Sequence, residues 1–292
     1  MESKTILITG ATGNVGLETF QGLIQINAPH KIICGVRQPD KAGNLFSVHK
    51  NTELRKFDFE DASTFGAALK DIDIVFLLRP PQLADVKRYF KPFFEAVKDA
   101  KISKIVFLSV LGVESQKSIP HHKIEKLIVK ENFDYIFLRP GYFMQNLITT
   151  LFYEIDSENR IYVPSGKLKL NWVDAKDVGL TTAHVLNDFE QFKNQAFDIT
   201  GSEVEGFNKV AAMLSEVTGK EITYKSPTVI QFYRAKRKQR KKNAMIFVML
   251  MLHFLPRFQI KKSKITDTVK HICGKNPNTI REFLEREKDK FR

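Results

Sequence analysis

Cysteine is scarce in this chain: its 292 residues include only Cys34 and Cys273. Two cysteines provide neither a disulfide framework nor a metal cluster, and Cys34 lies in an apolar stretch where a buried thiol is expected. A secretory signal is not recognisable either, because glycines and the charged Lys4 surround the first apolar run. We therefore expect a cytoplasmic protein without a bound metal ion.

Long apolar runs are lacking as well. The most apolar stretch, AMIFVMLMLHFL at 244–255, has twelve residues, whereas a helix needs about 20 apolar residues to cross a membrane. An apolar share of 43% is nevertheless ample for a sizeable core. The length suits one large α/β domain, or a core with a smaller lobe.

The net charge of +13 is concentrated near the C-terminus. Residues 230–292 contain 18 Lys/Arg and 5 Asp/Glu, whereas the rest of the chain contains 28 of each. Within the basic and apolar segment 230–264, the part at 236–264 begins with KRKQRKK, continues with the apolar stretch and ends with Lys261, Lys262 and Lys264. Three interpretations stay open: a core helix between solvated charges, a Met- and Phe-rich lid over a substrate pocket, and shallow insertion into an anionic leaflet. Nucleic-acid binding is not expected, because no motif that reads nucleic acids accompanies the charge.

The beginning of the chain, KTILITGATGNVG, contains three regularly spaced glycines. Gly10-x-x-Gly13-x-x-Gly16 follows the β-type run Thr5–Ile8 and leads into the helical segment Val15–Ile24. Gly10 permits a sharp turn, Gly13 lets the backbone approach a pyrophosphate, and Gly16 lets the helix pack closely on the strand. Free N–H groups and the helix dipole favour negative charge there. The pattern predicts dinucleotide binding, with an ordinary structural turn as the alternative.

Strand and helix patterns alternate over the first 200 residues. Six more strands are predicted at Lys31–Val36, Leu54–Phe57, Ile72–Leu78, Lys104–Ser109, Tyr135–Leu138 and Ala196–Thr200. Helices are predicted at Ala62–Leu69, Gln82–Ala100, His121–Lys130 and Asp174–Leu186, with Pro92 expected to kink or split the second helix. This alternation implies a doubly wound parallel Rossmann sheet of order 3-2-1-4-5-6-7.

Helical patterns dominate after about residue 200. They cover Gly206–Val217, Thr228–Lys238, Ala244–Leu255, Ser263–Ile272 and Thr279–Asp289. We therefore expect an NADP-binding Rossmann core at 1–150. The remainder, 151–292, is expected to complete the sheet with the strand at 196–200 and to add a smaller, mainly helical substrate lobe.

The residue that follows the second strand bears on coenzyme choice. An enzyme selective for NAD usually has an acidic residue there, which binds the adenosine ribose. Arg37 would instead pair with a 2′-phosphate, and Lys41 would add a second positive charge. We expect NADP(H) to be preferred over NAD(H), with a solvated surface arginine as the alternative. Asp58 and Phe59 follow the third strand, where a carboxylate accepts from the adenine amino group and a ring flanks the base.

Together these features resemble the NmrA-like group of atypical short-chain dehydrogenases/reductases. Further matching motifs are RPGYFMQN at 139–146, WVDAKDV at 172–178, FDITG at 197–201 and GKNP at 274–277, before a helix containing Phe283. The resemblance covers nearly the whole chain, and 228–262 is the least typical part. The resemblance implies that the protein is an NADPH-dependent quinone or dye reductase, an aromatic-side-chain reductase or a catalytically silent NADP sensor.

The resemblance also implies roles for individual residues. The pyrophosphate would be held by Gly10, Thr12, Gly13, Asn14 and Gly16. The nicotinamide ribose would be bordered by Leu78, Arg79 and Pro80, and the nicotinamide by Pro140, Gly141, Tyr142 and Phe143. Ser109, at the end of the fifth strand, would also belong to the cofactor site. Substrate contacts would come from Tyr142, Phe143 and Asn146. For Arg79, which follows the fourth strand, a second phosphate contact and a structural ion pair are both open.

The Tyr-x-x-x-Lys pair of ordinary short-chain dehydrogenases is missing. In that pair an ammonium group lowers the phenol pKa, so that the tyrosine exchanges a proton with a carbonyl. After Ser109 the chain reads VLGVESQKSIPHHKIEK, which offers Lys117 and His122 as catalytic candidates. His121, Lys123 and Lys126 are further candidates. The alternative to a catalytic role for His122 is an ordinary surface histidine at the start of a helix. Hydride transfer to a quinone or dye demands less of the protein, because water can supply the proton.

We therefore expect an NADPH-dependent oxidoreductase that transfers hydride to a small aromatic or quinone-like acceptor. The alternative is a non-catalytic NADP(H)-sensing regulatory protein of the same fold. The absence of the Tyr-x-x-x-Lys pair favours this alternative. Peripheral membrane contact through 236–264 stays open, and the oligomeric state is not predicted.

Overall fold

The structure is a computed structural model that describes residues 2–46, 49–258 and 264–291. The chain forms two compact units that interleave along the sequence. The first, here called the sheet unit, comprises Met1–Pro140, Ala175–Ile199 and Thr268–Lys275. The second unit comprises Gly141–Asp174, Thr200–Asp267 and Asn276–Arg292. The division into domains at residue 150 stays a prediction.

Twelve strands lie in the described part of the chain. They are β1 (Thr5–Thr9), β2 (Lys31–Val36), β3 (Thr52–Lys56), β4 (Ile74–Leu77), β5 (Lys104–Leu108), β6 (Asp134–Pro140), β7 (Tyr142–Phe143), β8 (Arg160–Tyr162), β9 (Lys169–Val173), β10 (Gln195–Ile199), β11 (Glu203–Gly206) and β12 (Thr223–Lys225).

The α-helices of the same described residues number thirteen. They are α1 (Asn14–Gln25), α2 (Pro39–Phe46), α3 (Phe65–Leu69), α4 (Val86–Asp99), α5 (Pro120–Lys130), α6 (Phe152–Glu158), α7 (Ala175–Asn187), α8 (Phe189–Phe192), α9 (Phe207–Thr218), α10 (Val229–Lys238), α11 (Asn243–His253), α12 (Thr268–Cys273) and α13 (Ile280–Arg286).

Seven parallel strands form the sheet of the sheet unit, in the order β3-β2-β1-β4-β5-β6-β10. This confirms the predicted doubly wound order, with Gln195–Ile199 as the seventh strand. The order reverses at β1, which pairs with β2 on one side and with β4 on the other. In open parallel sheets, ligands bind beyond the carboxyl ends of the strands at such a reversal.

The core of the sheet unit is rich in phenylalanine. The four residues of β4, IVFL, are all buried, as expected for a central parallel strand covered on both faces. Phe57, Phe90 and Phe93 pack with sheet residues in one cluster, with the ring centroids of Phe57 and Phe93 5.6 Å apart. The Cys34 thiol is fully buried, as predicted, and this burial raises its pKa to about 12.

The predicted elements of the sheet unit are confirmed with shifted ends. Strand β3 begins at Thr52 and ends before Phe57. Helix α4 begins at Val86 rather than Gln82, because the Asp85 carboxylate caps it by accepting from the Arg88 amide at 3.0 Å. The predicted split at Pro92 does not occur, since α4 continues through it.

The second unit contains two small sheets and a helical layer of its own. Strand β9 lies between β11, which is antiparallel to it, and β7, which is parallel. Strands β8 and β12 form a parallel pair. Trp172, Phe207, Phe232 and Phe283 are buried together in its core.

Five of the strands in this unit were not predicted. They are the short strands β7, β8, β9, β11 and β12, with two to five residues each. A segment of that length shows too few alternations to give a strand signal. The helix predicted at Ser263–Ile272 is confined to Thr268–Cys273, and Ser263 lies outside the described residues.

None of the helices that the structure describes is both long and apolar enough to span a membrane. The cytoplasmic location stays a prediction.

Candidate cofactor site

The turn after β1 requires glycine at two positions. Gly10 has φ +59°, a left-handed conformation that residues with a Cβ rarely adopt. At Gly16 a Cβ would lie 2.8 Å from the Ala11 Cα and closer still to the Gly10 carbonyl oxygen. The Gly13 amide donates to the Gly10 carbonyl at 2.9 Å and closes the turn. The three glycines therefore shape a tight strand-to-helix connection.

The start of α1 offers unpaired amide groups. The first N–H groups of a helix have no partner within the helix, and Gly13, the N-cap, has no side chain that could accept from them. Thr12, Gly13 and Asn14 are exposed. Since amides and the helix dipole both favour an anion, these residues fit the pyrophosphate of a dinucleotide.

The carboxyl ends of β1 and β4 are joined by a side chain. The Leu78 amide donates to the Thr9 hydroxyl oxygen at 2.8 Å, and the Thr9 hydroxyl donates to the Phe76 carbonyl at 3.2 Å. A Cβ at Gly10 would lie 3.6 Å from the Leu78 Cβ. Two predicted site residues, Gly10 and Leu78, are thus neighbours at the point where the strand order reverses.

Arg37 directly follows β2 and is an exposed cation. No described residue accepts a hydrogen bond from the Arg37 guanidinium or forms an ion pair with it. Lys41, in the first turn of α2, is also exposed. Strand β2 pairs with β1 up to Gly35 opposite Thr9, so Arg37 and Gly10 lie at the same edge of the sheet. This placement fits the predicted contact with a 2′-phosphate.

The side chains of Asp58 and Phe59, which follow β3, differ in their exposure. Asp58 is partly exposed, and its carboxylate accepts from the Glu60 amide at 3.0 Å. The Phe59 ring is buried, with its centroid 4.8 Å from that of Phe57 and 5.0 Å from that of Phe90. The predicted adenine contacts are not tested, but this burial favours a packing role for Phe59.

Arg79 shapes the loop that follows β4. Its Nη1 donates to the carbonyl oxygens of Pro80, Pro81 and Leu83 at 2.9, 3.1 and 3.0 Å. The structural ion pair, one of the two interpretations left open for Arg79, is not found among the described residues, because the group donates to carbonyls and not to carboxylates. Burial lowers the pKa of Arg79 to about 10. The phosphate contact stays a prediction.

His121 lies against Arg79, with Nε2 3.4 Å from the arginine Nε. Burial and, to a smaller extent, the positive charge of Arg79 lower the pKa of His121 to about 3. His121 is therefore neutral near neutral pH and cannot serve as an imidazolium acid there.

Ser109 follows β5 and carries a buried hydroxyl without a partner. Its backbone amide donates to the Leu138 carbonyl at 2.7 Å, but its buried Oγ has no hydrogen bond to any described residue, and the residue as a whole is 2% exposed. Leaving such a group unpaired costs about 1–3 kcal/mol. An unpaired hydroxyl at the carboxyl end of a central strand fits a ligand's polar group.

The two catalytic candidates lie in the segment after β5. Lys117 is exposed, in a turn. His122, in the first turn of α5, has Nδ1 3.2 Å from the Val113 carbonyl oxygen. Helix α5, PHHKIEKLIVK, contains no tyrosine. Their catalytic roles stay predictions.

Arg139 of the RPGYFMQN motif is engaged in ion pairs. Its Nε and Nη2 donate to the two carboxylate oxygens of Glu125 at 3.0 and 2.8 Å, and Nη1 pairs with Glu114. This fork holds α5 near the end of β6. Next along the strand, the Pro140 carbonyl accepts from the Leu111 amide at 3.0 Å.

In the second unit, the half-buried Tyr142 and the buried His253 form a hydrogen-bonded pair that the sequence did not reveal. The Tyr142 hydroxyl lies 2.7 Å from Nε2 of His253, and Nδ1 of His253 lies 2.6 Å from the Met249 carbonyl oxygen. Since Nδ1 must donate to the carbonyl, Nε2 accepts from the phenol. Burial lowers the pKa of His253 to about 4 and raises that of Tyr142, while the Asn146 side chain acts in the opposite direction on Tyr142.

An aromatic cluster surrounds this pair. The Tyr142 ring lies edge-on to Trp172 and Phe207, with centroids 4.8 and 5.9 Å away. Phe143 and Asn146 are partly exposed. Three predicted substrate residues, Tyr142, Phe143 and Asn146, therefore lie on one short segment, but their substrate contacts stay predictions. The only available signal for His253 was a single imidazole in an otherwise apolar helix.

The model of the NmrA-like family matches residues 2–284 of the sequence. The chain belongs to the NmrA-like family. This confirms the resemblance found in the motifs, and a solved structure of a similar protein shares the fold.

Two relatives and one solved structure cover nearly the whole chain. The sequence is 30% identical to Prestalk A differentiation protein A of Dictyostelium discoideum, over 96% of this chain and 91% of that protein. It is 26% identical to the NAD(P)H azoreductase of Xenophilus azovorans, over 96% of each. The structure of triphenylmethane reductase from Citrobacter sp. complexed with NADP(H) has 20% identity and a TM-score of 0.82, covering 97% of this chain and 99% of that one.

Proposed function

We propose that this NmrA-like protein is an NADPH-dependent oxidoreductase that transfers hydride to a small aromatic or quinone-like acceptor. The observation that carries the proposal is the Gly10–Gly16 turn, which presents unpaired amides at the end of β1 where the strand order reverses. Similarity to an NAD(P)H azoreductase and to a triphenylmethane reductase supports this class of acceptor.

The residues of the turn would bind the cofactor by its phosphates. Thr12, Gly13 and Asn14 are exposed and would face the pyrophosphate, whose charge the α1 dipole stabilises. The unpaired cation of Arg37 supports binding of the 2′-phosphate, and hence a preference for NADPH over NADH. Lys41 would add to the positive potential.

Bound NADPH supplies a hydride, and the protein supplies orientation and a dry surface. We assign to Ser109 the task of holding a polar group of the ligand, because its buried hydroxyl has a free donor and a free acceptor. The neutral His121 and the carbonyl-bound Arg79 would fix the loop after β4. Lys117 and His122 stay candidate proton donors, and water is the alternative.

The test uses purified protein, NADPH and three acceptor classes: a quinone, an azo dye and a triphenylmethane dye. We expect the reduced-nicotinamide absorbance to fall in proportion to the protein with at least one acceptor. With NADPH deuterated at its transferable position, the triphenylmethane product should carry deuterium on the carbon that accepts the hydride. Turnover without label in that product would contradict direct hydride transfer.

A non-catalytic NADP(H) sensor is the second candidate. The specific observation in its favour is that α5 offers no tyrosine and that the donor of the Tyr142 phenol is taken by His253. Tight NADPH binding without turnover of any acceptor would favour the sensor over the enzyme.

A further inference from the structure

Helix α11 carries apolar residues on its solvent face. Ile246, Met249 and His253 are buried, at the spacing of one helix face. Outside this face, Phe247 is 63% exposed and Leu252 is 46% exposed. A surface helix normally has polar residues there. The helix therefore has one apolar face in the core and further apolar side chains on its exposed surface.

Exposed apolar side chains are concentrated in this region. Of the eleven large hydrophobic residues that are exposed in the described chain, seven lie between residues 230 and 258. They are Ile230, Tyr233, Met245, Phe247, Leu252, Leu255 and Phe258. Such a concentration of exposed apolar side chains in one segment indicates an interaction site.

A row of cations precedes α11. Arg237, Lys238, Arg240, Lys241 and Lys242 are exposed, and none of them forms an ion pair with a described residue. Lys236 differs, since it is fully buried and its Nζ lies 2.5 Å from the Glu154 carboxylate. Five unneutralised charges thus stand at the beginning of the exposed apolar face. Lys261 and Lys262, two further cations of 236–264, lie outside the described residues.

We propose that this surface docks on an anionic lipid leaflet. The docking surface consists of the cations Arg237, Lys238, Arg240, Lys241 and Lys242 and the exposed apolar residues of 245–258. Cations near such a leaflet are attracted to its negative surface potential, while the apolar side chains insert at the level of the headgroups. A second copy of the chain fits this surface less well, because the five cations of one copy would then repel the five cations of the other.

This arrangement distinguishes two of the three interpretations of the segment, the simple core helix and contact with a lipid leaflet. A simple core helix would leave Phe247 and Leu252 covered, which they are not. The lid over a substrate pocket is not tested by these contacts. Docking accounts for the cations and the exposed face together.

The test is flotation of the full chain with vesicles of phosphatidylcholine, with and without phosphatidylserine. We expect the protein to float only with the anionic vesicles, and less of it to float at high salt, where the screening length falls from about 10 Å to about 3 Å. Recovery of the wild type only in the soluble fraction would overturn the proposal.

Two pairs of variants separate charge from insertion. Lys238→Glu with Lys241→Glu, and Phe247→Ser with Leu252→Ser, should each lower the fraction bound about tenfold or more. Matched controls are Lys50→Glu with Lys209→Glu, and Val129→Ser with Tyr153→Ser, which change exposed residues elsewhere. Equal losses in variants and controls, or binding that survives removal of the apolar pair, would contradict docking.

Sedimentation in the absence of lipid tests whether a second copy of the chain occupies the docking surface. The wild type and the Phe247→Ser, Leu252→Ser variant should have the same oligomeric state. A wild-type dimer that this variant dissociates would assign the surface to a second copy and overturn the proposal. NADPH titration of each variant verifies folding, so a failure of docking is distinguishable from a failure of cofactor binding.

Discussion

The Tyr142 phenol donates to Nε2 of His253 across 2.7 Å, although the two residues are 111 positions apart in the chain. The imidazole is held in one tautomer by the Met249 carbonyl and is 1% exposed. It is therefore kept neutral, and this has a consequence for stability.

His253 should make the protein less stable in mild acid. Its pKa of about 4 in the folded state lies below its ordinary value of 6.5, so the unfolded chain takes up the proton first. Stability is then fully present above about pH 6.5 and is lost as the pH falls towards 4. Between about pH 7 and about pH 5, His253 should account for about 2 kcal/mol of the loss.

Urea unfolding of the wild type and His253→Gln at both pH values measures this contribution. The variant should lose less stability than the wild type on acidification, whatever its stability near neutral pH. His271→Gln, a change at an exposed histidine, should lose as much as the wild type. If His253→Gln lost as much stability on acidification as the wild type does, this would contradict the claim that the buried imidazole is neutral.

Two helical glycines should respond oppositely to alanine. Gly16→Ala places a methyl group against the Gly10 carbonyl and the Ala11 backbone, so we expect a loss of about 1–3 kcal/mol and of NADPH binding. Gly43→Ala in α2 meets nothing within 4 Å and should stabilise by about 0.5–1 kcal/mol. Thermal unfolding and NADPH titration check both, and a Gly16→Ala variant that binds normally would contradict the tight turn.

Ser109 and Thr9 both carry buried hydroxyls, but only the Thr9 hydroxyl has hydrogen-bond partners among the described residues. Ser109→Ala removes an unpaired group and should leave the stability of the free protein unchanged or higher, while NADPH or acceptor binding weakens. Thr9→Val removes the acceptor of the Leu78 amide and should cost about 1–3 kcal/mol. Equal losses of stability would mean that the Ser109 hydroxyl has a structural partner after all.

Arg37 should discriminate between the two coenzymes. Arg37→Glu is expected to weaken NADPH binding roughly 10–100-fold, because it replaces a charged hydrogen bond by repulsion, and to change NADH binding much less. Lys50→Glu, the same charge change at another exposed position, is the control. Fluorescence titration measures both, and equal weakening of the two coenzymes would remove the 2′-phosphate assignment.

The sequence predicted the sheet because its strands are locally encoded. Central strands such as Ile74–Leu77 are unbroken apolar runs, and Gly10-x-x-Gly13-x-x-Gly16 needs only its strand and helix neighbours to be interpretable. The alternation of strands and helices, with right-handed crossovers, favoured the doubly wound order that the sheet has.

The unpredicted features depend on contacts distant in sequence. No pattern near Tyr142 indicates His253, and none near Arg79 shows that its donors go to the carbonyls of Pro80, Pro81 and Leu83. Likewise, Lys236 is one cation of a basic run, yet it is the one buried against Glu154. Only the folded chain distinguishes it from its exposed neighbours.

The central claim is that a phosphorylated nicotinamide dinucleotide binds at the turn between β1 and α1. Calorimetric titration of the folded wild type with NADPH and with NADH tests this most directly. We expect one site per chain, with NADPH bound more tightly than NADH. Absence of heat with both coenzymes, confirmed by equilibrium dialysis, would contradict the claim.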